Sequence, residues 1–148
     1  MPHRVIHYTA NLDGDTAAGG ADLPGLCRQL AGCMLAQRDA AGAAVFPPGG
    51  VRVLAYAATH WAVADGGAAG PAAGGSGDDG FMSLNLRMGR GCSAAVHQQV
   101  GQALQACAQQ HLQQVLANRH VGVTLQIDEG PEVFDAKHSA LHPLVKKA

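Results

Sequence analysis

A chain of 148 residues with a formal net charge of −1 has the length of one domain built on one modest core. That balance excludes the basic footprint demanded by phosphate backbones or anionic membranes, so nucleic acid and membrane are not expected partners. No run of eighteen apolar residues spans a bilayer, and the N-terminus lacks the basic and apolar regions of a signal peptide, which predicts a cytoplasmic protein.

The segment HRVIHYT at 3–9 is β-branched and aromatic enough for a strand, and the ANLDGD that follows is a turn cluster. In DLPGLCRQLAGCMLAQRD, Asp22 is placed to cap a helix and Pro24 is tolerated in its first turn. Leu23, Leu26, Cys27, Leu30, Cys33 and Met34 recur at helical spacing, and the helix should end before Gly42. PPGG at 47–50 is a strong breaker, after which VRVLAYAATHWAV predicts a second strand. Residues 66–80, GGAAGPAAGGSGDDG, carry no apolar periodicity and predict a flexible surface loop.

FMSLNLRM then alternates cleanly, with Met82, Leu84, Leu86 and Met88 on one face and Ser83, Asn85 and Arg87 on the other. Ser93 is placed to cap a long second helix reaching about Asn118, with Val96, Val100, Leu104, Cys107, Val115 and Leu116 as its apolar stripe. VGVTLQI at 121–127 closes the series as a fourth strand, apolar at odd positions. The fold class is α/β, more narrowly a two-layer α+β arrangement in a single domain over 1–148. Two β-α-β halves, about 2–65 and 81–128, form a four-stranded sheet. Right-handed crossovers put both helices on one face. The other face is then free for symmetric assembly.

Cys27, Cys33, Cys92 and Cys107 fall in no C-x-x-C spacing and read as reduced core thiols. His138 and His142 are four apart, but Pro143 opposes a sustained helix, so no metal site is expected.

Pro2 stands behind the initiator methionine at the head of the first strand. Removal of Met1 would convert it into a secondary amine, a general base near neutral pH when an apolar site or a cation lowers its proton affinity. A strand-head proline is also simply tolerated there, because its missing N–H costs little at a first position. Arg52, behind PPGG, offers a planar fork for a carboxylate or a developing enolate. Arg87 and Arg90 flank Gly89 at the end of the third strand, where a glycine turn leads into a helix N-terminus. Each of the three arginines also fits a solvated side chain.

MPH at the start, YTANLD at 8–13, ADLPGL at 21–26, FPPGGVR at 46–52, WAVADG at 61–66 and the glycine turn before the second helix occur in order over nearly the whole chain. Together they resemble the 5-carboxymethyl-2-hydroxymuconate isomerase family of the tautomerase superfamily. The resemblance implies a tautomerase-like β-α-β duplication, a homotrimer, no cofactor, and Pro2 as catalytic base. It also implies Arg52 as a substrate-holding arginine and a small carboxylic acid as substrate. The family commonly has a second arginine where this chain has Cys92, which leaves Arg90 or Arg87 to supply that charge. It usually has a glutamate where this chain has His7, and its C-terminal Phe-Lys-x-Asn-Asn stretch survives in FDAKHSALH chiefly as Lys137.

The expected reaction is proton transfer in a small unsaturated 2-hydroxy or 2-keto acid, as in aromatic catabolism. Two alternatives stand beside it. One is a superfamily hydratase, dehalogenase or decarboxylase using the same proline; the other is a catalytically silent trimeric binding protein.

Overall fold

The computed structural model describes residues 3–65, 68–72 and 78–145. Strand β1 (His3–Thr9) leads through a 3₁₀ turn at Ala10–Leu12 and a second at Thr16–Ala18 into helix α1 (Leu23–Ala36). Strand β2 (Val53–Ala58), a single helical turn α2 (Ala69–Ala72) and strand β3 (Gly80–Met88) follow. The long helix α3 (Ala94–Asn118), strand β4 (Val121–Glu129) and a terminal turn α4 (His142–Val145) complete the order.

The sheet runs β2-β1-β3-β4, with β1 parallel to β2, β3 parallel to β4, and the two halves joined antiparallel through β1 and β3. This is the duplicated β-α-β arrangement that the periodicity predicts. One face is the core: Ile6, Leu30, Met34, Met82, Leu84, Leu86, Leu104 and Leu112 are buried between the sheet and α1 and α3. At about 1.5–3 kcal/mol for each large apolar side chain removed from water, this layer dominates the fold's stability.

Local signals place the helices. Asp22 adopts a left-handed backbone (φ 47°), and its side chain accepts from Gly25 N at 3.1 Å. His111 of α3 has Nε2 2.9 Å from Ala21 O and 3.0 Å from Asp22 O; both are acceptors, so this nitrogen carries the proton and pins the two helices together. Ser93 caps α3 by accepting from Val96 N at 3.2 Å.

Four sequence expectations are corrected. Strand β2 stops at Ala58 rather than running to residue 63, because β1 ends opposite it at Thr9 and turns away. In α3, Leu116 is 40% exposed while Ala108 and Leu112 are buried; twelve residues beyond Leu104 is about 120° around a helix and off its inward face. The cysteines are free, as expected, but all four are half-buried rather than core.

The 66–80 segment is not structureless where it is described. Ala69–Ala72 form a helical turn, with Ala69 N donating to Asp65 at 3.1 Å. Asp78 is held by Asn11 Nδ2 at 2.8 Å and by Arg119 Nη2 at 3.2 Å, and Gly80 already belongs to β3. Residues 66–67 and 73–77 of that segment lie outside the described residues. In line with the break expected at Pro143, His142 lies in the α4 turn and His138 does not, so they share no helical face. No group of three metal-ligating side chains occurs among the described residues.

Candidate functional site

Pro2 lies outside the described residues, so the site is built from its neighbour outwards. Alternation along β1 sends Arg4, Ile6 and Tyr8 into the core and His3, Val5 and His7 onto the open face of the sheet. His3 pairs with Arg87 on β3, and Arg87 pairs with Asp128 on β4. On the other side, Arg4 N donates to Arg52 O at 2.8 Å, which extends the β1–β2 register one residue and brings Arg52 beside His3. Arg52, His3, Arg87 and Asp128 therefore form one row across four strands, at the end of the sheet where β1 begins.

Each member is held by its surroundings. Arg52 is half-buried and lies two residues beyond the 3₁₀ turn Pro48–Gly50, after its C-cap Val51. The ring of His142 lies over Gly49, so that a Cβ there would come within 3.1 Å of it. The C-terminal segment thus returns to brace the turn that delivers Arg52. Arg87 lies flat against the backbone at Gly130, where an added Cβ would stand 2.5 Å from its Nε and 2.9 Å from its Nη2. Gly130 N donates to Met88 O at 2.9 Å and carries the β3–β4 pairing past the last strand residue. Asn85 Nδ2 donates to Asp128 Oδ2 at 2.6 Å, which turns that carboxylate away along the sheet. Arg87 makes no ion pair among the described residues, so its fork remains available to an anion.

The structure brings Arg52 and Arg87 together and leaves Arg90 apart, exposed in the turn beyond Met88. Cys92 is half-buried, packs against the core and borders a separate hollow with Asp39, Val45 and Val96. His7 shares the open face with His3 but lies four residues along the strand, about 13 Å away. Its ring sits 5.9 Å from that of Tyr56. A larger groove of about 570 Å³ runs between α3 and β4, lined by Val123, Leu125, Ile127 and glutamines of α3. It belongs to the helix side and touches none of the arginines.

Sequence reading missed Gly130, Asn85 and Asp128 as parts of the site. Asn85 and Arg87 alternate on one face in the sequence, but nothing local says which β4 residues stand beside them. Gly130 follows strand β4 and reads there simply as a turn glycine.

A model of the 5-carboxymethyl-2-hydroxymuconate isomerase family matches residues 2–145. The 5-carboxymethyl-2-hydroxymuconate Delta-isomerase of Escherichia coli is 25% identical over 146 residues, covering 99% of this chain and all of that protein. A crystal structure of a 5-carboxymethyl-2-hydroxymuconate delta-isomerase superposes with a TM-score of 0.92 at 53% identity, over 100% of this chain and 95% of the other. A 5-carboxymethyl-2-hydroxymuconate isomerase from Deinococcus radiodurans R1 gives 0.76 at 30% identity, over 97% and 93%. With the duplicated β-α-β sheet and the match along nearly its full length, the chain belongs to the 5-carboxymethyl-2-hydroxymuconate isomerase family and is an isomerase of the tautomerase type.

Proposed function

We propose that this isomerase moves a proton within a small unsaturated 2-hydroxy or 2-keto carboxylic acid, with the Pro2 amine as general base. The row Arg52–His3–Arg87 carries the reading: two guanidinium groups flank the residue that follows Pro2 in the chain. An α-amino group titrates near 8 when unperturbed, and adjacent cations favour its neutral form. Pro2 then removes the proton from the dienol hydroxyl, or from the carbon beside the carbonyl, and returns it further along the conjugated system. Nothing is gained or lost overall. Arg52 holds a carboxylate or the dienolate oxygen while charge develops there, and Arg87 takes a second anionic group. Arg87 is the better supported of the two arginines around Gly89, because it stands in the row and Arg90 does not.

The open face supports a homotrimer. It carries Leu54 at 44%, Tyr56 at 52% and Phe81 at 36% exposure, a cost for a lone chain that symmetric packing of sheet on sheet removes. The site then lies where Pro2 of one subunit meets its neighbour.

The test is Pro2→Ala, with loss of Met1 confirmed by intact mass, assayed on 2-hydroxymuconate and phenylenolpyruvate. General-base loss predicts a fall in kcat of at least about 100-fold. Turnover equal to the parent removes Pro2 from the mechanism. NMR identification of the product separates tautomerisation from hydration, dehalogenation or decarboxylation by the same amine.

A further inference from the structure

Strand register lays out the open face in rows. Beside the row of Arg52, His3, Arg87 and Asp128 lies a second, formed by Leu54, Val5, Asn85 and Gln126. Asn85 therefore stands two residues before Arg87 on β3, on the same face, and diagonally from Asp128 on β4.

Arg87 and Asp128 are register partners on neighbouring parallel strands, about 4.8 Å apart across the sheet. Opposite charges so placed are within reach of each other, and a guanidinium takes a carboxylate readily in its planar fork. No ion pair joins them among the described residues. Two contacts account for this. Arg87 lies over the backbone at Gly130, and Asp128 Oδ2 accepts from Asn85 Nδ2 at 2.6 Å. An ionised carboxylate only accepts, so the amide nitrogen must be the donor in that bond. Val5, beside Asn85 on β1, has no polar side-chain atom to compete for the amide. Glu129, the next carboxylate, turns to the helix side, 3.8 Å from His97 Nε2, which leaves Asp128 as the row's own competitor for Arg87.

We propose that Asn85 is a positioning residue that makes the enzyme selective for dicarboxylates: it holds Asp128 along the sheet and so keeps the Arg87 guanidinium open to the second carboxylate of the substrate. This rests on the reading above, in which Arg87 takes that second anionic group. Without the amide, Asp128 rotates toward Arg87, and the far carboxylate of a diacid must displace an internal one before it binds. A monoacid held by Arg52 does not meet that competition. Asn85 thus acts on the difference between two substrates more than on affinity for either. Arg87 and Asp128 are both exposed, so the internal pair is modest and the expected effect is about three- to fivefold.

Steady-state kinetics with 2-hydroxymuconate, which has two carboxylates, and phenylenolpyruvate, which has one, supply the test. The proteins are the parent, Asn85→Ala, the double variant Asn85→Ala with Asp128→Asn, and Arg87→Ala. In Asn85→Ala the ratio of KM for the diacid to KM for the monoacid should rise about three- to fivefold, with the change in KM exceeding that in kcat. Replacing Asp128 as well should bring the ratio back to within about twofold of the parent, because the competitor is gone. An equal rise for both acids means a structural role for Asn85 and overturns the proposal. A raised ratio that the double variant does not rescue means that Asn85 touches the substrate itself, and overturns it too. A parental ratio in Asn85→Ala, with the ratio raised in Arg87→Ala, refutes the role of Asn85 and leaves that of Arg87 standing. A parental ratio in Arg87→Ala instead removes the underlying reading and the proposal with it. Should Asn85→Ala fail to fold, the isosteric Asn85→Asp decides. It replaces the donor with a second carboxylate and frees Asp128, so the ratio should rise at least as far; a parental ratio refutes the proposal.

Discussion

Gly130→Ala isolates how the sheet positions Arg87. The backbone at Gly130 does not have a positive φ, so alanine brings no conformational strain of its own. Its Cβ would stand 2.5 Å from Arg87 Nε and 3.1 Å from Cζ, against 3.4–4 Å for an ordinary contact. The guanidinium must retreat by roughly 1 Å, a displacement large enough to misalign a bidentate contact. It is the free end of a flexible side chain, so stability should change by no more than about 0.5 kcal/mol. The effect falls on binding: losing a hydrogen bond to a charged group costs about 1.5–3 kcal/mol, or roughly 10- to 150-fold in kcat/KM. The assay follows tautomerisation of 2-hydroxymuconate by ultraviolet absorbance in parent, Gly130→Ala, Arg87→Ala and the double variant, with thermal melts alongside. The expected result is a similar loss in all three variants, because both changes remove the same contact. Parental kcat/KM in Gly130→Ala, with Arg87→Ala impaired, would show that Gly130 does not position Arg87. Parental values in both would remove Arg87 from substrate binding.

Tyr56→Glu places a charge in the middle of the exposed sheet face and should dissociate the assembly, read as a lower mass in light scattering together with lost turnover; an unchanged mass refutes sheet-to-sheet packing. Ser93→Ala removes the cap of α3 and should cost about 1 kcal/mol in urea unfolding, with no change in fold. Tyr8 is pushed up to about 12 by burial and then by its hydrogen bond to Asp13. The folded state therefore keeps this proton while the unfolded chain releases it near 10. Its contribution is intact below pH 10 and is lost as pH rises toward 12. The stability of the parent relative to Tyr8→Phe should fall across that window, and a flat difference refutes the assignment.

The sequence alone determines the elements and their order. Period-two alternation over 81–88 names the buried face of β3, Asp22 and Ser93 mark the helix starts, and β-α-β order makes the pairing within each half parallel. These signals are local, carried by residues within a few positions of one another. The candidate site is not local. Arg52, His3 and Arg87 become neighbours because β1 lies between β2 and β3, a strand order set by long-range burial of the sheet on α1 and α3. Arg4 shows the same division. Alternation puts it on the inward face, but only tertiary packing buries its guanidinium there without a hydrogen-bond partner among the described residues. A register is a relation between distant segments, and the alternation within either strand does not contain it.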